Sequence, residues 1–353
     1  MARIAVVSFR LGGTDGVSIE AAKWVMALEQ LGHEVTLVAG EGHVDYLIEG
    51  LRIDAEHSPS RSELQSALNG IDLVIVENLV SLPLNLAARD ALYEVLDGRR
   101  ALFHHHDLPW QREHLAQLEG PRDQPTWNHV TINDLSRRQL ASRGIVATTI
   151  MNSFDCDPPL GNREALRERL DIADQRLLLL PTRVIPRKNV EGAIDLARSL
   201  GAVLWILGPA EDGYGPRLER MLDQSGVETR RGLVQSMTVH DAYAACDLVV
   251  MSSTWEGFGN PVLESVTHRK PLAVHPYPVL DEIRSYGFDF FDLGDVTSIA
   301  EVLSHPDDEH FESNLALARE HFNVTDLPRK LAAVLRLDES DVRELKDSLR
   351  EAE

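Results

Sequence analysis

The sequence has little cysteine, little positive charge and no long apolar run, and each shortage excludes a class of protein. Two cysteines, Cys156 and Cys246, stand far apart among 353 residues, so the sequence indicates neither a disulfide framework nor a cysteine-rich zinc site. Lysine and arginine total 35 against 56 aspartates and glutamates, which leaves a net charge of −21. So acidic a chain is a poor match for nucleic acid or for an anionic lipid surface.

The apolar segments are all shorter than the roughly 20 residues that span a bilayer. The N-terminus, Met1–Ser8, is typical of a strand rather than of a signal peptide. We therefore expect a cytoplasmic protein with no integral membrane segment. Hydrophobic residues at 43% and charged residues at 26% are typical of a soluble globular protein, and 353 residues fit two domains better than one core.

Both halves alternate short apolar strands with amphipathic helices, which predicts parallel sheets and an α/β fold. The predicted strands of the first half are 3–8, 34–39, 73–77, 101–104, 129–132 and 146–151. Those of the second half are 177–182, 202–207, 228–230, 248–251 and 271–275. A polar, proline-containing segment at 152–159 interrupts the pattern. We therefore predict two doubly wound domains, 1–155 and 156–322, followed by helices within 323–353.

The segment Ser252–Glu264 is the strongest candidate for a ligand site. It follows an apolar strand, and we predict that Asn260 caps a helix with Pro261 in its first turn. The N-terminus of a helix presents unpaired backbone N–H groups, which favour an anion such as phosphate. Glu256 and Glu264 lie eight residues apart and would repel a phosphate unless they contact sugar or ribose hydroxyls instead. The alternative is an ordinary strand–loop–helix junction with two surface glutamates.

Basic residues are concentrated after another predicted strand of the second half. Arg183, Arg187 and Lys188 follow the end of strand 177–182 within six residues. In so acidic a chain, this concentration suits a ligand that carries phosphate. A solvated loop balanced by nearby acidic residues is the alternative.

Three consecutive histidines, His104 to His106, follow the predicted strand segment 100–103. Neighbouring side chains of an extended segment point to opposite faces, so only His104 and His106 could chelate a metal together. We favour one histidine directed at a ligand, with the others satisfied by local hydrogen bonds, and predict no metal site. Trp110 lies just downstream and either lines the same site or packs within the loop.

These residues resemble a known family. The run from Glu256 to Glu264 resembles the E-x7-E motif of the retaining glycosyltransferases of family 4, which have the GT-B fold. Arg183 and Lys188, five residues apart, resemble the basic pair of that family. The Gly12-Gly13 loop resembles its glycine loop, and His106-Asp107 resembles its His-Asp pair. The resemblance implies two Rossmann-like domains facing a cleft, with the helices of 323–353 crossing back onto the first domain.

The resemblance also implies a role for each matched position. Arg183 and Lys188 would neutralise the donor diphosphate, Glu264 would hold the ribose, and Glu256 would lie beside the transferred sugar. His106 would contact the hydroxyls of the sugar, so the residues expected to act in catalysis are His106, Arg183, Lys188 and Glu256. Backbone groups complete the expected donor site, at Gly12, Gly13, Gly208, Leu233, Val234, Gly257, Phe258, Gly259, Asn260, Pro261 and Val262. The expected acceptor side comprises Thr14, Asp15, Ser18, His105, Asp107 and Trp110.

Two of these assignments have open alternatives. Either Gly12 or Gly13 could meet the diphosphate, and a paired glycine could instead form a tight turn without a ligand. One of Thr14, Asp15 and Ser18 is expected to cap the following helix rather than to bind the acceptor.

The resemblance implies a metal-independent transferase that moves a hexose from a UDP- or GDP-sugar to a hydroxyl of a soluble acceptor. The sugar nucleotide is then a co-substrate, and no cofactor is expected. A sugar phosphorylase or nucleotide-sugar epimerase of the same fold is the first alternative, and a sugar-nucleotide sensor without turnover is the second. A dinucleotide oxidoreductase is disfavoured, because neither Gly12-Gly13 nor Gly208 stands in a full Gly-x-Gly-x-x-Gly fingerprint. Donor base, sugar, acceptor and oligomeric state (monomer or homo-oligomer) stay open.

Overall fold

The computed structural model describes residues 1–172, 174–211 and 213–335, which form two compact units. The first unit contains Met1–Ser153 together with the described residues from Val324 onward, and the second contains Phe154–Asn323. The predicted boundaries, after 155 and after 322, lie within two residues of these divisions. The part of the predicted helical segment 323–353 that follows residue 335 lies outside the described residues.

The first unit is a seven-stranded parallel sheet in the order β3-β2-β1-β4-β5-β6-β7. Its strands are Arg3–Leu11 (β1), Glu34–Gly42 (β2), Tyr46–Leu47 (β3), Leu73–Glu77 (β4), Ala101–His105 (β5), Trp127–Thr131 (β6) and Ala147–Thr149 (β7). Its helices are Gly16–Gln30 (α1), Arg61–Ala67 (α2), Leu86–Leu96 (α3), Asp134–Ala141 (α4) and the C-terminal Leu327–Leu335 (α13).

The second unit is a six-stranded parallel sheet in the order β10-β9-β8-β11-β12-β13. Its strands are Leu177–Leu180 (β8), Val203–Ile206 (β9), Thr229–Arg231 (β10), Leu248–Met251 (β11), Leu272–Val274 (β12) and Phe291–Asp292 (β13). Its helices are Arg163–Arg169 (α5), Val190–Leu200 (α6), Gly215–Ser225 (α7), Val239–Ala245 (α8), Asn260–Thr267 (α9), Pro278–Arg284 (α10), Val296–Ser304 (α11) and Asp308–His321 (α12).

The prediction of doubly wound α/β sheets is confirmed in both units. The central strands are continuous apolar runs because helices cover both faces of each sheet; every residue of β8 and of β11 is buried. In each unit the strand order reverses at the centre, between β1 and β4 in the first and between β8 and β11 in the second. Ligands of such sheets bind beyond the carboxyl ends of the strands at this reversal.

The C-terminal helix α13 belongs to the core of the first unit. Leu327, Leu331 and Val334 recur at helical spacing and are buried in one hydrophobic cluster with Trp24 and Leu28 of α1. Removing this helix would expose that apolar stripe, so α13 is an integral part of the first unit.

The start of the short helix α2 could have been read from the sequence, because Ser60 and Glu63 form a capping box there. No helix in the described part of the chain is both long enough and apolar enough to cross a bilayer.

Candidate functional site

The polar residues singled out in the second unit follow the two strands at which its sheet order reverses. The chain leaves β8 into Arg183–Lys188 and leaves β11 into Ser252–Glu256. Because neighbouring parallel strands end at the same edge, the two loops lie side by side. They are also hydrogen-bonded to each other, since Ser252 Oγ donates to the carbonyl of Lys188 at 2.8 Å.

At the centre of this site, one carboxylate holds two cations. Lys188 Nζ lies 2.5 Å from Glu256 Oε1, and Arg187 Nη1 donates to Glu256 Oε2 at 2.9 Å. Lys188 is 7% exposed and Glu256 is 6% exposed. Arg187 also donates to the carbonyl of Trp255 at 2.8 Å, which fixes the loop that carries Glu256.

Burial and the neighbouring charges together set the pKa values of Glu256 and Lys188. Burial alone would raise the pKa of Glu256, but Lys188 and Arg187 outweigh it and bring the pKa to about 2. Burial lowers the pKa of Lys188, and Glu256 opposes that shift. The cluster carries one surplus positive charge when all three groups are ionised. A buried surplus cation at the carboxyl end of the strands is suited to an anionic ligand.

The depressed pKa of Glu256 predicts a pH dependence of stability. A carboxyl group whose folded-state pKa lies below its ordinary value of 4.5 stabilises the fold above that value and loses the contribution as the pH falls toward about 2. We expect the melting temperature of wild type to exceed that of Glu256→Gln at pH 7, with the difference shrinking only below about pH 4.5. Thermal melts of both proteins from pH 7 to pH 3 measure this. A difference that already closes between pH 7 and pH 5 would contradict the pairing.

Arg183 has a different partner from Lys188, although the two were predicted to act as a pair. Its Nη1 donates to Glu211 Oε2 at 2.8 Å, and both side chains are exposed to solvent. The backbone of Arg183 runs against Gly208, where an added Cβ would lie 2.3 Å from the Arg183 nitrogen. Glycine at 208 therefore allows the chains beyond β8 and β9 to approach each other.

The helix after β11 begins one residue earlier than predicted. Gly259, not Asn260, is the N-cap residue of α9, so the prediction of an Asn260 cap is wrong; Asn260 and Pro261 form the first turn. The physical reason is backbone geometry. Gly259 has φ of 93°, and an added Cβ would lie 2.3 Å from the hydroxyl oxygen of Tyr277. That hydroxyl donates to the carbonyl of Phe258 at 2.8 Å and so fixes the loop.

Glu264, one turn into α9, has an aromatic partner that sequence reasoning missed. The hydroxyl of Tyr243, from α8, donates to Glu264 Oε2 at 2.6 Å, and the Tyr243 ring stacks on His268 with ring centroids 4.4 Å apart. Burial, with Glu264 beside it, raises the pKa of Tyr243 well above its ordinary value, so the hydroxyl stays a donor. The carboxylate is thereby held in one orientation.

The remaining predicted donor residues of this unit lie in loops. Gly257 and Phe258 belong to the loop before α9, and Val262 is buried in its first turns. Leu233, which is 46% exposed, and Val234 follow β10, next to Gly232, whose carbonyl accepts from Trp205 Nε1 at 2.9 Å. This bond fixes the backbone at the start of that loop.

In the first unit, the glycine loop ends in a helix cap. Gly12 has φ of 74°, and Gly12, Gly13 and Thr14 are exposed after β1. Asp15 caps α1 by accepting from the backbone N–H groups of Val17 and Ser18, and also from the Ser18 hydroxyl at 2.7 Å. Capping is therefore the role that the structure gives to Asp15, as was expected for one of the three polar residues.

The three histidines at the end of β5, His104 to His106, are all buried and point in alternate directions. His104 Nδ1 and His106 Nε2 lie 2.9 Å and 2.8 Å from the same oxygen, Oε2 of Glu77. His105 has different partners. Its Nδ1 lies 2.5 Å from Ser81 Oγ, and its Nε2 lies 2.9 Å from His129 Nδ1. Local hydrogen bonds thus reach all three rings, whereas the buried Nε2 of His104 has no hydrogen-bond partner among the described residues.

Within the described ranges, one cluster has a composition that could hold a metal ion. It consists of Glu77, His104 and His106, whose candidate ligand atoms lie within 4.8 Å of one another. The two short nitrogen–oxygen distances to one carboxylate oxygen are those of hydrogen bonds. We therefore interpret the cluster as a hydrogen-bonded triad.

Asp107 and Trp110, both predicted on the acceptor side, have protein partners. Asp107 pairs with Arg112 at 2.9 Å. Trp110 Nε1 donates to Gln139 at 2.8 Å, and the guanidinium of Arg143 lies 3.6 Å from its ring centroid. Trp110 therefore packs within the loop, which is one of the two predicted alternatives.

Similarity to known proteins agrees with this geometry. Residues 162–304 match the family model described as Glycosyl transferases group 1, a range within the second unit that includes Lys188, Glu256 and Glu264. Two curated relatives are aligned over most of their length, and both are mannosylglucosylglycerate synthases. The protein of Thermotoga maritima is 28% identical, over 83% of this chain and 85% of the relative. That of Petrotoga mobilis is 26% identical, over 82% and 86%.

Solved structures share the fold. HepE of Anabaena, solved with UDP and glucose, has a TM-score of 0.69 at 17% identity, covering 95% of this chain and 99% of that one. Sucrose-phosphate synthase of Thermosynechococcus elongatus has a TM-score of 0.73 at 14% identity, covering 95% and 98%. The resemblance to group 1 glycosyltransferases and the GT-B fold class are thus confirmed. Membership of family 4 stays a prediction.

Proposed function

We propose that this glycosyltransferase moves a hexosyl group from a UDP- or GDP-sugar to a hydroxyl of a small soluble acceptor, with retention and without a metal ion. The observation that carries the proposal is the buried Lys188–Glu256–Arg187 cluster at the reversal of the second sheet. Its surplus positive charge and the N-terminus of α9 are the two elements that a diphosphate requires.

In this mechanism Lys188 exchanges one anion for another. When the donor binds, Lys188 Nζ moves from Glu256 Oε1 to a diphosphate oxygen, while Arg187 keeps the Glu256 carboxylate neutralised. Arg183, half exposed on Glu211, turns to the same diphosphate. The bond between the sugar C1 and the phosphate oxygen then breaks, and its electron pair stays on the phosphate. Lys188, Arg183 and the N–H groups of α9 stabilise the charge that develops there.

The acceptor completes the reaction from the same face of the sugar. Its hydroxyl oxygen bonds to C1, and its proton passes to the phosphate oxygen that has just left, so no carboxylate nucleophile is required. Glu256 lies beside the transferred sugar and Glu264 holds the ribose hydroxyls. His106 accepts a hydrogen bond from a sugar hydroxyl. The basic side chains and the helix N-terminus take the part that a divalent cation takes in metal-dependent transferases.

The names of the relatives supply a first acceptor. Both relatives that align over most of their length are mannosylglucosylglycerate synthases, a name that describes a mannosyl group attached to glucosylglycerate. We propose a mannosyl donor and glucosylglycerate as the pair to test first, with other hexoses and other small hydroxyl acceptors beside it.

A panel of UDP-, GDP- and ADP-sugars tests the proposal by binding. We expect one nucleoside diphosphate and the corresponding nucleotide sugar to raise the melting temperature of the protein in the presence of EDTA. A ligand that binds only the folded state stabilises the folded state. NAD and NADP serve as controls and should cause no shift. Release of free nucleoside diphosphate that depends on the acceptor separates a transferase from a sensor. Stabilisation by NAD alone would contradict the proposal, and so would a binding signal that EDTA abolishes.

A further inference from the structure

Glu77 is a fully buried carboxylate in the first unit that the proposed reaction does not use. It ends β4, one of the two strands at which that sheet reverses, and is 0% exposed. The predicted strand 73–77 consists of four apolar residues, Leu-Val-Ile-Val, followed by Glu77. A buried charge is costly unless it is paired, so its partners indicate what it does.

The partners of Glu77 are two histidines of the neighbouring strand end. His104 Nδ1 and His106 Nε2 approach the same carboxylate oxygen at 2.9 Å and 2.8 Å. The next residue, Asn78, holds the backbone of the same turn, because its Oδ1 accepts from the N–H groups of His106 and Asp107, both at 3.1 Å. Asn78 has φ of 57°, a left-handed conformation that places its side chain under this turn. Glu77 and Asn78 thus fix both the ring and the backbone of His106.

The hydrogen bonds determine which ring nitrogens carry hydrogen. Burial alone would raise the pKa of Glu77, but the two histidines bring it to about 2, so the carboxylate is ionised and can only accept. Both nitrogens that face it must therefore donate. Burial lowers the pKa of His104, which keeps that ring neutral, and Trp24 stacks on it with ring centroids 3.9 Å apart. In a neutral His106 ring, the hydrogen on Nε2 leaves Nδ1 as an acceptor.

We propose that Glu77 is the positioning residue of His106: its carboxylate fixes the ring as the Nε2–H tautomer, so that Nδ1 accepts a hydrogen bond from a substrate hydroxyl. This inference rests on the proposed function, in which His106 contacts a sugar hydroxyl. It extends that function by naming the atom that binds, the direction of the hydrogen bond and the residue that sets it. A fixed acceptor favours a hydroxyl that donates and disfavours a sugar in which that hydroxyl is replaced by fluorine or hydrogen.

Nitrogen-15 NMR of the histidine rings tests the tautomer without any turnover. The signals of His106 are identified by their loss in His106→Gln. In the wild-type protein at pH 8, we expect hydrogen on Nε2 of His106 and none on Nδ1. In Glu77→Gln, the amide can turn toward the two rings either its oxygen, which accepts, or its NH2 group, which donates, so we expect a mixture of tautomers for His106. Hydrogen on Nδ1 in the wild-type protein would overturn the proposal, whether or not the variant folds.

Kinetics test the consequence for the reaction. We expect Glu77→Gln to lower kcat by about 10- to 100-fold, the range seen when the hydrogen-bond partner that orients a metal-ligating histidine is removed. The Kd for the free nucleoside diphosphate should not change, since neither Glu77 nor His106 contacts the diphosphate in the proposed function. Asp123→Asn is the matched control, because Asp123 is a carboxylate on a different histidine, His129, at 3.2 Å. It should keep kcat within about twofold of wild type.

Other results decide against the proposal. Unchanged kcat and an unchanged tautomer in Glu77→Leu, whose side chain has no acceptor, would show that Glu77 does not position His106. Stoichiometric zinc or cobalt bound by wild type and lost in Glu77→Gln would show that the triad is a metal site instead. A wild-type protein with no turnover on any donor would contradict the proposed function, whereas the ring tautomer would still decide the role of Glu77.

Discussion

Replacing Lys188 with alanine is expected to lower turnover by at least about 100-fold, the scale of losing one preorganised charge contact in a transition state. Lys188 is buried, ends the loop after β8 and lies 2.5 Å from a carboxylate that a diphosphate would replace. The loss should appear in kcat as well as in kcat/KM, because the charge on the leaving phosphate grows only as the sugar bond breaks.

The variant also leaves Glu256 with one cation fewer, so stability must be separated from catalysis. We expect a lower melting temperature for Lys188→Ala, and turnover should be expressed per folded protein. Lys270→Ala is a matched control in the same unit: Lys270 is half-buried, and its Nζ donates to the carbonyls of Ala244 and Cys246 at the end of α8. It should lose stability but keep turnover. Equal turnover of Lys188→Ala and wild type would remove Lys188 from the site.

Replacing Glu264 with alanine is expected to lower kcat/KM for the sugar nucleotide by at least about 100-fold. A carboxylate that accepts two ribose hydroxyls makes two charge-assisted hydrogen bonds, each contributing about 1.5–3 kcal/mol, and every 1.4 kcal/mol is about tenfold. Tyr243 holds this carboxylate in place at 2.6 Å, so Tyr243→Phe should show a smaller loss in the same direction.

A donor that lacks the 2′-hydroxyl identifies the contact directly. Wild type should prefer the ribose donor to the 2′-deoxyribose donor by about 10-fold or more, the value of one charge-assisted hydrogen bond. Glu264→Ala should show almost no preference, because the hydroxyl then has no carboxylate to meet. A preference that survives in Glu264→Ala would place the ribose elsewhere.

The sequence was sufficient to predict the fold because parallel strands buried on both faces are continuous apolar runs. β4 and β11 were predicted with both bounds as the structure has them, and the predicted domain divisions lie within two residues of the observed ones. Short strands such as β3 and β13, two residues each, carry no comparable pattern. Their existence depends on the neighbouring strand that they pair with.

The site was predictable as a set of positions but not as a set of partners. Residue type and spacing singled out Lys188, Glu256 and Glu264, yet nothing in the sequence shows that Lys188 and Glu256 share one buried ion pair. Gly259 is the helix cap at a place where the Tyr277 hydroxyl leaves no room for a Cβ. That contact joins residues on different elements, so the local sequence does not show it. Glu77 gave no local signal at all, because its role depends on the neighbouring strand β5.

The central claim is retaining transfer from a nucleotide diphosphate sugar at the Lys188–Glu256 site. Proton NMR of wild type with donor and acceptor in EDTA tests it most directly, because one spectrum reports both the released nucleotide and the new glycosidic bond. The account predicts free nucleoside diphosphate in equal amount to a product with the anomeric configuration of the donor, and little product with Lys188→Ala. A product of inverted configuration, or one formed only after a divalent metal is added, would contradict it.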